Sequence, residues 1–263
     1  MTKKSGVIWS LLMAGCVLSL WSSCKENIPD RSTLEFKQKE ADAYVSFLAQ
    51  YPDSAGLRLL AAGKLDSVGR YKDALLQLDT LIQSDSGKYA FWVVRANILL
   101  DSTDTTGAQN SYAKAIQLFP GQEALLNQAI LYAYQKKDTC LKIAAGFTED
   151  VVSRDYITAL YAAQLMDTAT AFAHLNRCIR LEHGYARAYE TKAKLWLSLG
   201  DSKSALESTQ QGLRAAPGNL SLLNLAGQIS EATGKKDSAR NYYQQSLFIK
   251  PFQPAIEQKI KSS

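Results

Sequence analysis

The chain has 263 residues, 46% of them hydrophobic, and a formal net charge of +5. This is the composition of a packed protein rather than a disordered one. Lys3 and Lys4 are the only charged residues among the first 23, so the remainder carries 28 basic and 25 acidic side chains, a balance of +3. That is too weak to suggest nucleic acid, whose binders show a clustered basic face, and the absence of any run of five like charges leaves no charged tail. From the N-terminus, Lys3 and Lys4 precede fifteen mostly apolar residues, Val7 to Trp21. A bilayer span takes ~20 such residues, so residues 1–23 read as an export signal that is cut off. Residues 24–32, with Pro29, read as a tether.

The signal closes on Ser22-Ser23-Cys24, which resembles the lipobox of bacterial lipoproteins. Leu20 stands one place further back than the usual lipobox leucine, with Trp21 in its place, similar to the looser lipoboxes of Bacteroidota-like envelope proteins. Cys16, after Met13-Ala14-Gly15, is the rival cleavage point, but a cut there leaves the apolar Val17 to Trp21 on the mature chain. The resemblance implies acyl chains on Cys24. Each methylene they bury in a membrane contributes ~0.8 kcal/mol. It also implies a location at the cell envelope. Lys25 after the cysteine, where some bacteria use Asp for inner-membrane retention, favours the outer membrane, on its periplasmic or surface face.

Ser32 with Glu35 three residues later is a capping-box start. Leu34, Ala41, Tyr44, Val45 and Leu48 then recur at helical spacing, giving a helix over 33–51 that stops at Tyr51-Pro52. Beyond it the chain repeats. One column of small residues runs Ala62, Ala96, Ile130, Ala159, Ala193, Gly227, with steps of 34, 34, 29, 34 and 34. A second pairs Ala74 with Ala108 and Ala205 with Ala239, a bulky one runs Leu78, Tyr112, Leu175, Thr209, Tyr243, and prolines recur at Pro52, Pro120, Pro217 and Pro251. Small residues let paired helices approach, bulky ones a turn later fill the gap between pairs, and proline ends the second helix. Gly69, Gly200 and Gly234 fall between paired helices, where a left-handed residue is needed. Asp201 and Asp237 follow as candidate N-caps. No stretch alternates apolar and polar residues long enough to make a strand.

Trp92-x3-Ala96 with Ala108-x3-Tyr112 and Pro120 resembles the tetratricopeptide repeat. So do Ala193-x2-Trp196 with Gly200, Ala205 and Pro217, and Gly227 with Gly234, Ala239-x3-Tyr243 and Pro251. Repeats are expected at 55–88, 89–122, 152–185, 186–219 and 220–253, with 123–151 a short one lacking five residues. Its Lys136-Lys137-Asp138-Thr139-Cys140 echoes Lys235-Lys236-Asp237-Ser238-Ala239, so a second helix is expected there too. The fold is expected to be all-α, a right-handed solenoid of about six helix pairs over residues 33–263, covered at its ends by the first helix and a polar helix at 254–261.

The chemical inventory is thin. His183 takes the place of a helix-ending proline and reads as an exposed turn residue; His174 reads as a surface side chain. No paired His or Cys spacing suggests zinc. Cys140 stands in the column of Ala108, Ala205 and Ala239, and Cys178 in that of Ala115, Gly212 and Ser246, so both read as small buried packing residues, with a disulfide the alternative in an oxidising compartment. Phosphate loops, nucleophile elbows and HExxH motifs are missing from the sequence, so no cofactor, small-molecule substrate or catalysis is expected.

The resemblance implies that the first helix of each pair lines a concave groove in which ligands lie. The inward columns are then Leu59, Val93, Asn127, Tyr156, Glu190, Asn224; Gly63, Asn97, Leu131, Leu160, Lys194, Gln228; and Asp66, Leu100, Tyr134, Ala163, Leu197, Glu231. The groove candidates are Asn97, Asn127, Leu131, Tyr134, Tyr156, Leu160 and Lys194. Those beside the short repeat either anchor a partner or fill a tighter bend. Val93 stands where the family's carboxylate clamp has a lysine, so a chaperone-tail ligand is not expected. The expected function is a lipid-anchored adaptor that binds other envelope proteins or peptides without catalysis. The alternatives are a structural subunit of an outer-membrane assembly, secretion or cell-wall machine, and an envelope enzyme.

Overall fold

The computed structural model describes residues 33–262, and fourteen helices account for most of them. The leader 1–23 with Cys16, the lipidation residue Cys24 and the tether 24–32 lie outside the described residues. The first helix, α1 (Leu34–Gln50), is capped by Thr33, whose Oγ1 accepts from the Phe36 backbone amide at 3.2 Å. The cap thus falls one residue after Ser32, and Glu35 pairs along the helix with Lys39 instead of closing a capping box. Tyr51, restricted by Pro52, ends it by leaving the helical region, with φ −130° and ψ 65°.

Six helix pairs follow. They are α2 (Ala55–Ser67) with α3 (Tyr71–Ser84), α4 (Tyr89–Asp101) with α5 (Thr105–Leu118), α6 (Gln122–Tyr134) with α7 (Thr139–Ala145), α8 (Val151–Gln164) with α9 (Thr168–Leu181), α10 (Ala186–Ser198) with α11 (Ser202–Ala215), and α12 (Leu220–Ala232) with α13 (Lys236–Ile249). The last helix, α14 (Pro254–Ser262), packs on α13. Each helix packs on its neighbours in the chain, which makes an α-solenoid of tetratricopeptide type. Phe119 and Lys250, each before a proline, are extended and end α5 and α13.

The repeating columns are buried for the reason their sizes suggested. Ala62, Ala96, Ala159 and Ala193 are inaccessible, as are Ala74, Ala108, Ala171 and Ala205 in the second helices; Leu78, Tyr112, Leu175 and Thr209 fill the space between pairs. At Gly227 the fit is closest, since a Cβ there would overlap the Tyr243 ring. Cys140 and Cys178 are buried free thiols, and burial pushes the Cys178 thiol up to about 12.

The turns show a regularity beyond the glycines. Gly69, Gly200 and Gly234 have φ of 76°, 80° and 75°, and Thr103, Lys136 and Met166 take the same left-handed conformation in the other three pairs. Asp104, Asp167 and Asp201 cap α5, α9 and α11. Asp237 does not cap: it lies inside the first turn of α13, behind an N-cap Lys235 that makes no side-chain bond. There its charge still faces the positive end of the helix dipole.

The missing residues of the third pair are taken from its second helix. Helix α7 has 7 residues where α11 has 14. With half of the spacer gone, α6 packs directly and extensively on α8, a contact between first helices that is slight elsewhere in the array. Phe147 is buried in the space α7 leaves, together with Tyr156, Ile157 and Leu160.

Candidate functional site

Beside this close contact lies a cavity of about 300 Å³ between α6, α8 and α10. Its floor is Leu160, Ala163 and Leu195, and Tyr134, Lys136, Gln164, Met166, Thr191 and Lys194 stand around it. Tyr134 is 48% exposed, and its ring offers an apolar wall with a polar tip. Lys194 bonds to Glu190 at 2.6 Å. Burial works to lower the Lys194 amine, but the Glu190 charge and hydrogen bond outweigh it and raise the group, so it stays a cation. Lys136 adds a second cation at the rim. The arrangement is an apolar slot with the Lys136 amine and the Lys194–Glu190 ion pair beside it.

Among the described residues, two of the three left-handed ones that are not glycine, Lys136 and Met166, line this cavity. Each belongs to the turn after a first helix, and in both the chain keeps a side chain where glycine would relieve strain. A non-glycine residue costs ~1–2 kcal/mol in this conformation. Such strain concentrates at functional sites.

The seven groove candidates part company in the structure. Tyr134, Leu160 and Lys194 come together at the cavity. Tyr156, at 4% exposed, and Leu160, at 1%, are core: the close approach of α6 and α8 seals them beneath the surface, so Tyr156 touches no solvent-borne ligand and Leu160 presents little beyond its edge. The Tyr156 hydroxyl is 3.3 Å from Thr191 Oγ1, its ring stands edge-on to Tyr185, and burial raises its hydroxyl above the usual range. Leu131, 8% exposed, packs in the preceding core with Val93 and Tyr112. Asn127 accepts from Arg187 Nη2 at 3.3 Å, tying α6 to α10. Asn97 is exposed a repeat away, where it accepts from the Tyr112 hydroxyl.

One cluster went unseen in the sequence. Asp155, 2% exposed, lies 3.0 Å from His174 Nδ1 and 3.2 Å from Arg177 Nε, binding α8 to α9. His174 is therefore a half-buried partner of a buried carboxylate rather than a free surface side chain. The signal lay in the column Arg58, Trp92, Leu126, Asp155, Tyr189, Leu223, where Asp155 is the one acid. His183 is exposed, with its Nδ1 3.2 Å from the Tyr189 hydroxyl. Among the described residues no three His, Cys, Asp or Glu side chains are placed to hold a metal, and no helix is long and apolar enough to cross a membrane.

The comparisons with known proteins agree with this architecture. Residues 190–254 match the tetratricopeptide repeat family. A TPR repeat-containing protein of Methanocaldococcus jannaschii is 29% identical over 197 residues, 68% of this chain and 34% of the relative. The chain therefore spans about a third of that curated relative's length. Among solved structures, a tetratricopeptide repeat protein from Parabacteroides merdae superposes with a TM-score of 0.63 at 16% identity, covering 86% of this chain and 92% of that one. PilW, a type IV pilus biogenesis factor, gives 0.51 at 17% identity, covering 80% and 98%. By fold this chain is a tetratricopeptide-type solenoid, and residues 190–254 match the tetratricopeptide repeat family in sequence.

Proposed function

We propose that the protein is a non-catalytic scaffold, lipid-anchored at the cell envelope through Cys24, that captures a partner peptide at the mid-array cavity. The fold supports the coarser part of this, because tetratricopeptide solenoids are interaction scaffolds. The observation that carries the finer part is the cavity at the short repeat, where Lys136 and Met166 retain side chains in left-handed turns. A segment with one apolar anchor beside an acidic residue fits it: the anchor reaches Leu160 and Leu195 past the Tyr134 ring, and the carboxylate meets Lys136 and Lys194. The anchor reading rests on Ser22-Ser23-Cys24, and an outer-membrane location on Lys25.

Affinity capture of the tagged chain from its own cells tests the binding reading. Tyr134→Asp with Lys194→Glu is expected to abolish recovery of the partner while circular dichroism stays unchanged, because both side chains are exposed. Capture that survives the double substitution sinks this cavity as the site. If the captured protein also stays bound through detergent as one large complex, the chain is a structural subunit of an envelope machine. The anchor is tested separately by fatty-acid labelling, which is expected to vanish in Cys24→Ala.

A further inference from the structure

The two ends of the array meet. Lys250 Nζ lies 3.1 Å from Asp101 Oδ2, across 149 residues of sequence. Two residues on, the Phe252 ring covers Gly69 so closely that a Cβ there would overlap it. Between these contacts Ile249, Lys250 and Pro251 share one cavity of about 360 Å³ with Leu59, Gly63 and Lys64. Leu59 and Gly63 belong to the inward-facing columns of the first repeat, and so does Asp66. The last repeat thus lays an extended segment on the inner surface of the first.

We infer that Ile249–Phe252 is a clasp: it fills a ligand site on the inner face of the first repeat in cis and holds the solenoid closed. The segment is built for the task. Lys250 before Pro251 is extended, and proline fixes the next φ. Gln253 secures the root, with Nε2 donating to the Ser246 carbonyl at 3.1 Å and the Lys250 carbonyl at 2.8 Å, and Oε1 accepting from Asn224 at 2.8 Å. The receiving site is complementary. Asp101 accepts from Lys250, with Tyr71 and the Asp66 carboxyl beside it; burial and the neighbouring Asp101 raise Asp66 to about 6, and Lys250 opposes that rise. Gly69, at a φ of 76°, supplies a slot without a side chain for an aromatic ring. The site therefore reads a lysine, a proline and an aromatic residue in extended order. The hold is weak enough to release, because the Lys250–Asp101 pair is half-exposed and such pairs contribute little. This inference is independent of the mid-array cavity, which lies on other helices.

Carbodiimide cross-linking of the full-length chain, read by mass spectrometry, tests it. A zero-length Lys250–Asp101 cross-link is expected in the wild type, with its yield falling at least tenfold in Phe252→Ala and again when the peptide of residues 248–254 is added in excess. The same peptide with glutamate in place of its lysine is expected to leave the yield unchanged. Lys250→Asp removes the link, and adding Asp101→Lys restores it, which separates lost closure from lost folding. A wild type without the link, or a link that persists undiminished in Phe252→Ala, overturns the clasp. A link indifferent to excess peptide overturns the ligand site.

Discussion

The third and fifth helix pairs show what one repeat does with two different lengths of chain. The fifth, α10 with α11, has two full helices, Gly200 in its turn and Asp201 capping its second helix at 2.9 Å. Its Ala193 and Ala205 share a small buried cluster with Leu225 and Ile229 of the next pair. The third, α6 with α7, has lost half of its second helix, keeps Lys136 in its turn, and has no side-chain cap at Asp138. It compensates with the largest of the buried clusters, in which Phe147, Tyr156, Ile157 and Leu160 replace the missing helical turns. The regular pair repeats what its neighbours do and lends Thr191, Lys194 and Leu195 to the cavity. The short pair brings α6 directly onto α8, and a cavity lies beside that contact.

The largest expected effect separates two tyrosines, one on each of the helices that meet there. Tyr156 is enclosed, so Tyr156→Ala should cost about 3–5 kcal/mol, the range for deleting a buried aromatic ring. Tyr134 is exposed, so Tyr134→Ala should stay within about 0.5 kcal/mol. Urea titrations followed by circular dichroism measure both. Equal losses would mean that the floor and the wall of the cavity are one packed surface, and the distinction between bend filler and site would fail.

That distinction marks where the sequence stopped being legible. Side-chain size recurring every 34 residues showed the solenoid, because Ala74, Ala108 and Ala205 can be nothing larger where two helices touch. The gap of five residues was equally visible. Its consequence was not: an inward column lists Tyr156 beside Asn127 and Glu190 as equivalents, and only the collapse of α6 onto α8 makes one of them core. Asp155 was hidden differently. Its partners His174 and Arg177 come from the facing helix, and a count of motifs along one chain does not pair them. The meeting of Lys250 with Asp101 depends on the summed curvature of all the intervening pairs, which no local pattern carries.

The second prediction uses the buried thiols. Cys140 sits on the short α7 and Cys178 on the full-length α9, and burial raises both. Both must be exposed by local opening before they react, and a seven-residue helix is a marginal unit. Alkylation under native conditions should therefore modify Cys140 at least tenfold faster than Cys178, a difference of ~1.4 kcal/mol in opening. Since only the thiolate reacts, both rates should rise with pH. Equal rates would show that α7 opens only with the whole array.

A smaller effect lies at the caps. Asp201 accepts from the Ser204 amide, so Asp201→Ala should cost about 1 kcal/mol. Asp138→Ala should cost little, because no cap bond is there to lose. Thermal midpoints of the two variants give the comparison directly, and a larger loss at Asp138 would mean that the short helix depends on its N-terminus after all.

The smallest effect on stability bears most directly on function. Gly200 and Lys136 share a left-handed conformation, but only Lys136 strains to hold it. Lys136→Gly should stabilise the chain by roughly 0.5–1 kcal/mol, the strain relieved less the added freedom of the unfolded glycine. Gly200→Ala should destabilise it by about the same amount. If Lys136 were only a turn residue, its replacement by glycine would be an improvement without cost. If the strain is kept because the side chain stands over the cavity, the stabilised variant should hold its partner less well, with a faster dissociation rate on an immobilised surface. A stabilised Lys136→Gly that binds unchanged would remove the strained turn from the argument and leave the cavity resting on Tyr134 and Lys194.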